Sequence, residues 1–454
     1  MSTMKNYITN EDTIIFCHHY KKSININLLN SYNKIIFSDY LLNEYLFEKY
    51  SNNDLKDLNY IGSKFNKSIE LPQNVTLITF GFKFNQSVEL PKNLTHLTFG
   101  YSFNQPVILP EKLSQITFGW IFNQPIELPK KITHLTFDGI FNQPIVLPAN
   151  LTHLTFGYNF NQPIELPTNL THLTFGYSFK QPIELPLKIT HITFGVCFDQ
   201  PIILTPNITH LTFSISFNQK IVLPSSITHL TFGSTFNAYS YGNDFNQHVE
   251  LPPNITHLTF GENFNKPVEL SQNLIHLTFG NKFNHPIKLP INLTLINFGR
   301  DFNQHVELPK NLTLINFGEN FNQPLELPEN ITMISFGKNF NQHIKFPENL
   351  THISFGENFN QPLELPENLT HITFGKNFNQ KVDWPMSIKY LKLCNDEAHN
   401  LDYLPVGIEE LELGFSFESS LDNLPNSLLV IKLNGNYKGS LKCVPAKTKI
   451  NYII

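Results

Sequence analysis

Cysteine is scarce: Cys17, Cys197, Cys394 and Cys443 lie far apart, and none belongs to a Cys-X-X-Cys pair. That spacing signals neither a disulfide framework nor a structural zinc site, and it fits a reducing compartment. Charge is scarce as well, at 15% of residues with a formal net charge of −5. Phosphate binding needs clustered Lys and Arg, so nucleic acid is not an expected partner. No run of about 18 apolar residues occurs, which excludes a membrane-spanning helix. The opening residues, Met1-Ser2-Thr3-Met4-Lys5-Asn6, are polar where a signal peptide would be apolar, so an intracellular, cytoplasmic protein is expected.

What the chain has instead is 41 phenylalanines and 30 prolines, and the phenylalanines are periodic. Phe65, Phe84, Phe103 and so on to Phe217 follow at intervals of 19, and a second series runs from Phe245 to Phe378. A nine-residue insertion at about 237–245 separates the two series and reads as a surface bulge on one coil. One block runs from Phe160 to Ser178 and carries Pro163, Pro167 and Gly176, which exclude a helix of useful length.

Within the block Leu170, Leu173 and Phe175 form an LxxLxF pattern, so Leu173 and Phe175 face a core while His172 and Thr174 face away. This predicts a short strand. After the turn at Gly176, Phe179 returns inside, and Ile183 and Leu185 alternate with an outward Glu184 in a second extended stretch ending at Pro186. One coil buries too little to offset its ordering entropy, so coils must stack, with parallel strands, Phe on Phe, and the amides of Asn161 and its equivalents bonding along the turn. Eleven Asn-X-Thr triplets, among them Asn93-Leu94-Thr95, recur at one repeat position and read as structural, not as glycan acceptors.

Phe-Asn-Gln-Pro-Ile-Glu-Leu-Pro followed by Leu-Thr-His-Leu-Thr-Phe-Gly closely resembles the FNIP repeat, a leucine-rich-repeat relative abundant in social amoebae and giant DNA viruses. The resemblance covers about residues 65–384, with a unit shorter than the family's usual one of about 22 residues. It implies a β-rich solenoid: a leucine-rich-repeat-like, right-handed stack of 19-residue coils with parallel strands, preceded by a small α-containing N-terminal segment. It also implies a scaffold for protein–protein interaction, with no catalytic residue and no cofactor. Residues 388–393, 408–413 and 428–433 each show LxxLxL with a period of 20, so 385–454 reads as degenerate coils and a C-terminal cap.

The organisation expected is therefore an N-terminal helical segment or cap at 1–54, repeats at 55–384 and terminal coils at 385–454. Within the first segment Ser38-Asp39 precedes apolar residues at helical spacing over Tyr40–Phe47, which predicts a short helix. Some members of the family resemble ubiquitin-ligase adaptors through an N-terminal F-box, which makes a substrate adaptor the alternative function. The Leu-Pro-X-Glu opening of an F-box is absent from 1–54.

Surface columns carry the functional signal. Histidine stands at the outward front position in His96, His134, His153, His172, His191, His210, His229, His257, His276, His352 and His371. Neighbouring imidazoles could chelate a metal in pairs, but a tetrahedral site needs three or four converging ligands, so no metal site is assigned. Such closely spaced groups are expected to titrate as a coupled set. Leu295, Leu314 and Met333 replace histidine on three consecutive coils and form a small apolar patch. The turn after the strand carries Phe82, Tyr101, Trp120, Tyr158 and Tyr177 early in the chain, and Glu262, Arg300, Glu319, Lys338, Glu357 and Lys376 later. The expected partner-binding residues are Tyr101, Trp120, Tyr158, Tyr177, Leu295, Leu314 and Met333, on a monomer whose partner is another protein. A row of glutamates, broken by Lys288 and Lys345, marks a solvated back.

Overall fold

In a regular coil of the repeats a strand of three or four residues recurs, and each residue in it stands opposite the residue 19 positions on. His153–Thr155 pairs in parallel with His172–Thr174, and that strand with His191–Thr193. The computed structural model describes residues 6–39, 62–233, 245–394, 404–414, 417, 420–421 and 424–453. Two compact units divide the chain, Met1–Ser226 and Ile227–Ile454.

The first unit carries the parallel strands from Thr13–Phe16 to His210–Phe213. Its N-terminal residues are part of the stack. Thr13–Phe16 pairs in parallel with Lys34–Phe37, which pairs in turn with Leu77–Thr79, while Tyr7–Thr9 lies antiparallel against Thr13–Phe16 at the end. Phe16 stacks on Phe37 at 4.9 Å and Phe37 on Phe65 at 4.3 Å, so the aromatic column starts before the first repeat. The only helix among the described residues is Ile26–Leu29, where the Asn25 side chain accepts from the Asn27 N–H. The helix expected over Tyr40–Phe47 lies outside the described residues. Asp39, expected to begin it, accepts instead from the backbone N–H groups of Ser63 and Phe82, at 2.7 and 2.6 Å.

The second unit runs from His229–Phe232 to Lys449–Ile453. The inserted residues leave the register intact, because His229 still stands opposite His257; residues 234–244 themselves lie outside the described ones. Past Phe378 the core changes from phenylalanine to leucine: Ile388, Leu391 and Leu393 are buried, as are Ile408, Leu411 and Leu413. Tyr390–Leu393, Glu410–Leu413, Val430–Asn434 and Lys449–Ile453 continue the parallel pairing.

Two phenylalanine columns fill the repeats of each unit. Phe175 at the strand end and Phe179 after the turn lie face to face with centroids 3.7 Å apart, and Phe179 rests on Phe160 and Phe198 at 6.2 Å. The turn glycine permits this stacking. A Cβ on Gly176 would sit 2.0 Å from the carbonyl oxygen of Gly157, so the backbones of successive turns touch where only hydrogen fits.

Asparagine ties the turns together. The Asn161 N–H donates to Asn142 Oδ1, and Asn161 Oδ1 accepts from the Lys180 N–H at 3.0 Å and from Gln181 Nε2 at 3.3 Å. The Asn-X-Thr triplets do the same at the strand entrance: Asn169 Nδ2 donates to the Ala149 carbonyl and Thr171 Oγ1 to the Thr152 carbonyl, both at 3.0 Å. On the opposite side of the coil Glu184 is exposed while Ile183 and Leu185 are half-buried, in extended chain that forms no strand. Pro182 and Pro186 have no N–H to give, which removes the donors a ladder there would need.

Candidate interaction surfaces

The front face is set by the strand alternation, which buries Leu173 and leaves His172 and Thr174 outward and half-exposed. In-register pairing then places imidazole on imidazole. The rings of His134, His153, His172, His191 and His210 stack face to face at 4.2 to 4.3 Å, and His352 lies on His371 at 4.1 Å. Burial, and then the neighbouring imidazoles, hold His153, His172, His191 and His352 below the ordinary histidine range. Each ring is held by the residue before it: Thr152 Oγ1 lies 2.9 Å from His153 Nδ1, and Thr171 Oγ1 2.9 Å from His172 Nδ1.

Leu295, Leu314 and Met333 interrupt this column on adjacent strands, in register with His276 before them and His352 after. Leu314, Met333, His352, His371 and Tyr390 then line a groove of about 330 Å³. Beyond it the front face becomes ionic. Lys392 pairs with Glu412, and Lys432 with Glu410 and Glu412. Burial, followed by the Glu412 charge, pushes the Tyr390 hydroxyl well above the usual tyrosine range.

The aromatic rim is both stacked and exposed. Phe82 lies on Tyr101 at 4.7 Å and Tyr158 on Tyr177 at 4.6 Å, while Tyr101, Trp120, Tyr158 and Tyr177 keep 39 to 45% of their surface open. Gly139 occupies the coil between Trp120 and Tyr158, and the indole reaches across it to the phenol ring, centroids 6.1 Å apart. In the second unit the rim is polar. Lys338 pairs with Glu357 at 3.3 Å, and Asn320, Asn339, Asn358 and Asn377 pass a hydrogen bond from each Nδ2 to the preceding Oδ1 at 2.9 to 3.0 Å.

One set of exposed residues escaped the reading of the sequence. Ile108, Val146, Ile203 and Val222 occupy the glutamate column of the first unit and are 88 to 91% exposed. The signal was present as gaps in that column at 108, 146, 203 and 222. The four cysteines form no disulfide among the described residues. Among the described residues no group of three or more His, Cys, Asp and Glu converges on a common point, and no helix is long and apolar enough to cross a membrane.

Comparison with known proteins agrees with this architecture. No curated protein matches the chain. The crystal structure of CroV588, a giant-virus protein described as a novel circular LRR protein, is 35% identical, covers 98% of this chain and 80% of its own, and superposes with a TM-score of 0.68. YopM from Yersinia enterocolitica WA-314 is 18% identical over 81% of this chain and 89% of its own, with a TM-score of 0.54, and shares the fold. The family model FNIP Repeat matches in overlapping stretches that tile residues 65–235 and 245–396. With its paired phenylalanines, its turn asparagine and its in-register strands repeated through both stretches, the chain belongs to the FNIP repeat family.

Proposed function

We propose that the chain is a non-enzymatic repeat scaffold that binds another protein through the rim of its first unit. The observation that carries this reading is the row of Tyr101, Trp120, Tyr158 and Tyr177, ordered by stacking yet still open to solvent. Rings already held in place lose little side-chain entropy on binding and offer large contact area, which is what interface anchors require. The exposed Ile108, Val146, Ile203 and Val222 add apolar area to the same unit. The titratable side chains support the non-enzymatic part, since they lie in columns repeating with the coil, whereas catalysis needs a unique convergent set. The leucine-rich-repeat-like fold fits an interaction role.

The test compares affinity purification of the whole chain with that of a variant in which Tyr101, Trp120, Tyr158 and Tyr177 are changed to Ser. A second variant with Asn320 and Asn339 changed to Ser serves as reference. Partners lost only from the first variant support the rim; a partner list unchanged by it sinks the reading. Deletion of 1–54 is unsuited to this purpose, because it would remove the strands Thr13–Phe16 and Lys34–Phe37 and uncover the edge of Leu77–Thr79.

A further inference from the structure

The two ends of the strand series are finished differently. At the start, Tyr7–Thr9 lies antiparallel against Thr13–Phe16, and every residue of the covered strand is buried. At the other end Lys449–Ile453 pairs in parallel with Val430–Asn434, and no other strand among the described residues pairs with it. No residue from Asn434 to Ile453 is buried, whereas the stretch before it buries Leu428, Ile431 and Leu433. Tyr452 is the clearest case. It stands opposite Leu433, in the inward column where Leu393, Leu413 and Leu433 are 1 to 2% exposed, yet it is 54% exposed.

The backbone of that last strand is half used. In a parallel pair the N–H and C=O of one residue point to the same side, and successive residues alternate between sides. The Lys449 N–H donates to the Leu429 carbonyl at 2.8 Å, and the Ile453 carbonyl accepts from the Gly435 N–H at 3.1 Å, so Lys449, Asn451 and Ile453 face the preceding coil. Ile450 and Tyr452 therefore turn their N–H and C=O groups toward the open edge. Inside the repeats the same groups are bonded: the Phe175 N–H, in the column of Tyr452, donates to the Thr193 carbonyl of the following coil at 2.9 Å.

Charge says what such an edge accepts. From Leu424 to Ile454 the sequence holds five lysines and no aspartate or glutamate, in a chain whose formal net charge is −5. Lys432 is paired with Glu410 and Glu412. Lys438, Lys442, Lys447 and Lys449 are exposed and join no ion pair among the described residues. Lysines at an edge hold off the equally basic end of a second copy and attract a strand that carries carboxylates.

We propose that Lys449–Ile453 is a docking edge for an extended, acidic segment of another protein, which adds to the stack as one more strand. The backbone of that segment bonds to the outward groups of Ile450 and Tyr452, as in strand addition to an open sheet edge. Its inward side chains cover Ile450 and the Tyr452 ring, and its outward carboxylates meet Lys447 and Lys449. The edge belongs to the second unit and is independent of the aromatic rim.

The probe is a fluorescent peptide in which glutamate alternates with valine and threonine, twice the length of the five-residue edge strand. It is added to the full chain and followed by anisotropy and by amide hydrogen exchange. Replacing its glutamates by lysine, or changing Lys447 and Lys449 of the protein to Glu, is expected to weaken binding about tenfold or more. Methylating alternate peptide nitrogens keeps every charge and removes the donors from one edge of the peptide; one of the two phases should weaken binding about tenfold. The protein with Tyr101, Trp120, Tyr158 and Tyr177 changed to Ser should bind the peptide unchanged, which separates this edge from the rim. Exchange at the Ile450 and Tyr452 N–H groups should slow about tenfold or more on binding, with Lys449, already bonded to the preceding coil, little altered. An acidic peptide that does not bind, or that binds without slowing exchange at Ile450 and Tyr452, would overturn the proposal. So would slow exchange at both residues before peptide is added, which shows the edge covered by the chain itself or, where protection rises with protein concentration, by a second copy.

Discussion

Tyr158 and Glu319 occupy the same position of their coils, two residues before Phe160 and Phe321, yet one belongs to a stacked aromatic rim and the other to an ionic and amide rim. The interiors of the two units do not differ in this way. Phe156 lies on Phe160 at 3.6 Å and Phe317 on Phe321 at 3.8 Å. Inside, each coil must offer its neighbours the same shape, so an exchange in one coil is felt by two others. Outside, that constraint weakens to like beside like: a ring stacks on a ring and an amide bonds to an amide. Surface chemistry then changes in blocks, as at the rim and at the Leu295, Leu314 and Met333 patch.

The comparison breaks first if the cores are not equivalent. Phe160→Ala and Phe321→Ala should each cost about 3–5 kcal/mol, the range for a buried phenylalanine, and denaturant midpoints should fall alike in the two variants. A mild effect in one only would show that the units do not depend equally on their columns. Next come the turns. Asn161→Ala removes the acceptor for the Lys180 N–H and Gln181 amide, and Asn322→Ala does so for Asn341 and Gln342. Each should cost about 1–3 kcal/mol, the penalty of orphaned polar groups, and faster amide hydrogen exchange at Lys180 and at Asn341 reads it directly.

Acid sharpens the contrast between units. The folded state lowers His153, His172 and His191 in the first unit and His352 in the second below the histidine value of 6.5. Between the lowered and ordinary values the unfolded chain binds more protons, so stability is full above the ordinary value and is lost as pH falls through the lowered ones. Thermal melts should move down as pH falls below the ordinary histidine value of 6.5. Changing His153, His172 and His191 to Gln should remove more of that dependence than changing His352 alone; a melt indifferent to pH would contradict it. The smallest effect belongs to the rims. Tyr177→Ser and Asn339→Ser should each cost about 0.5–1 kcal/mol, since both are surface pairs, measurable as small shifts in melting temperature.

Much of this was legible because repetition multiplies weak signals. A single Phe-Asn-Gln-Pro says little, but the recurrence of Phe65 through Phe378 fixed the coil, the two buried columns and the outward histidines. The N-terminus was not legible in that way: Thr13–Phe16 and Lys34–Phe37 stack on the repeats without sharing their motif, and one strand pair alone has no period to detect. The partners of polar atoms were also beyond the sequence. It showed that Asn161 recurs, but its main acceptor role toward the next coil's backbone depends on how closely the turns approach. The threonine before each histidine read only as part of a structural Asn-X-Thr triplet, and its contacts to the preceding coil's carbonyl and to the next residue's imidazole show in the structure alone.

The bond from the turn asparagine has a consequence for how such a chain can change length. Asn161 Oδ1 accepts from the backbone of the following coil, and that coil carries Lys180 where asparagine usually stands. The acceptor is indifferent to the side chain it meets, and the series resumes at Asp199, whose Oδ1 accepts from the Asn218 N–H at 2.9 Å. A whole coil can therefore be duplicated or lost by unequal recombination, and the new neighbours will still join. Length in this molecule is a heritable variable adjusted in increments of one coil, with each surface column extended or shortened at the same stroke.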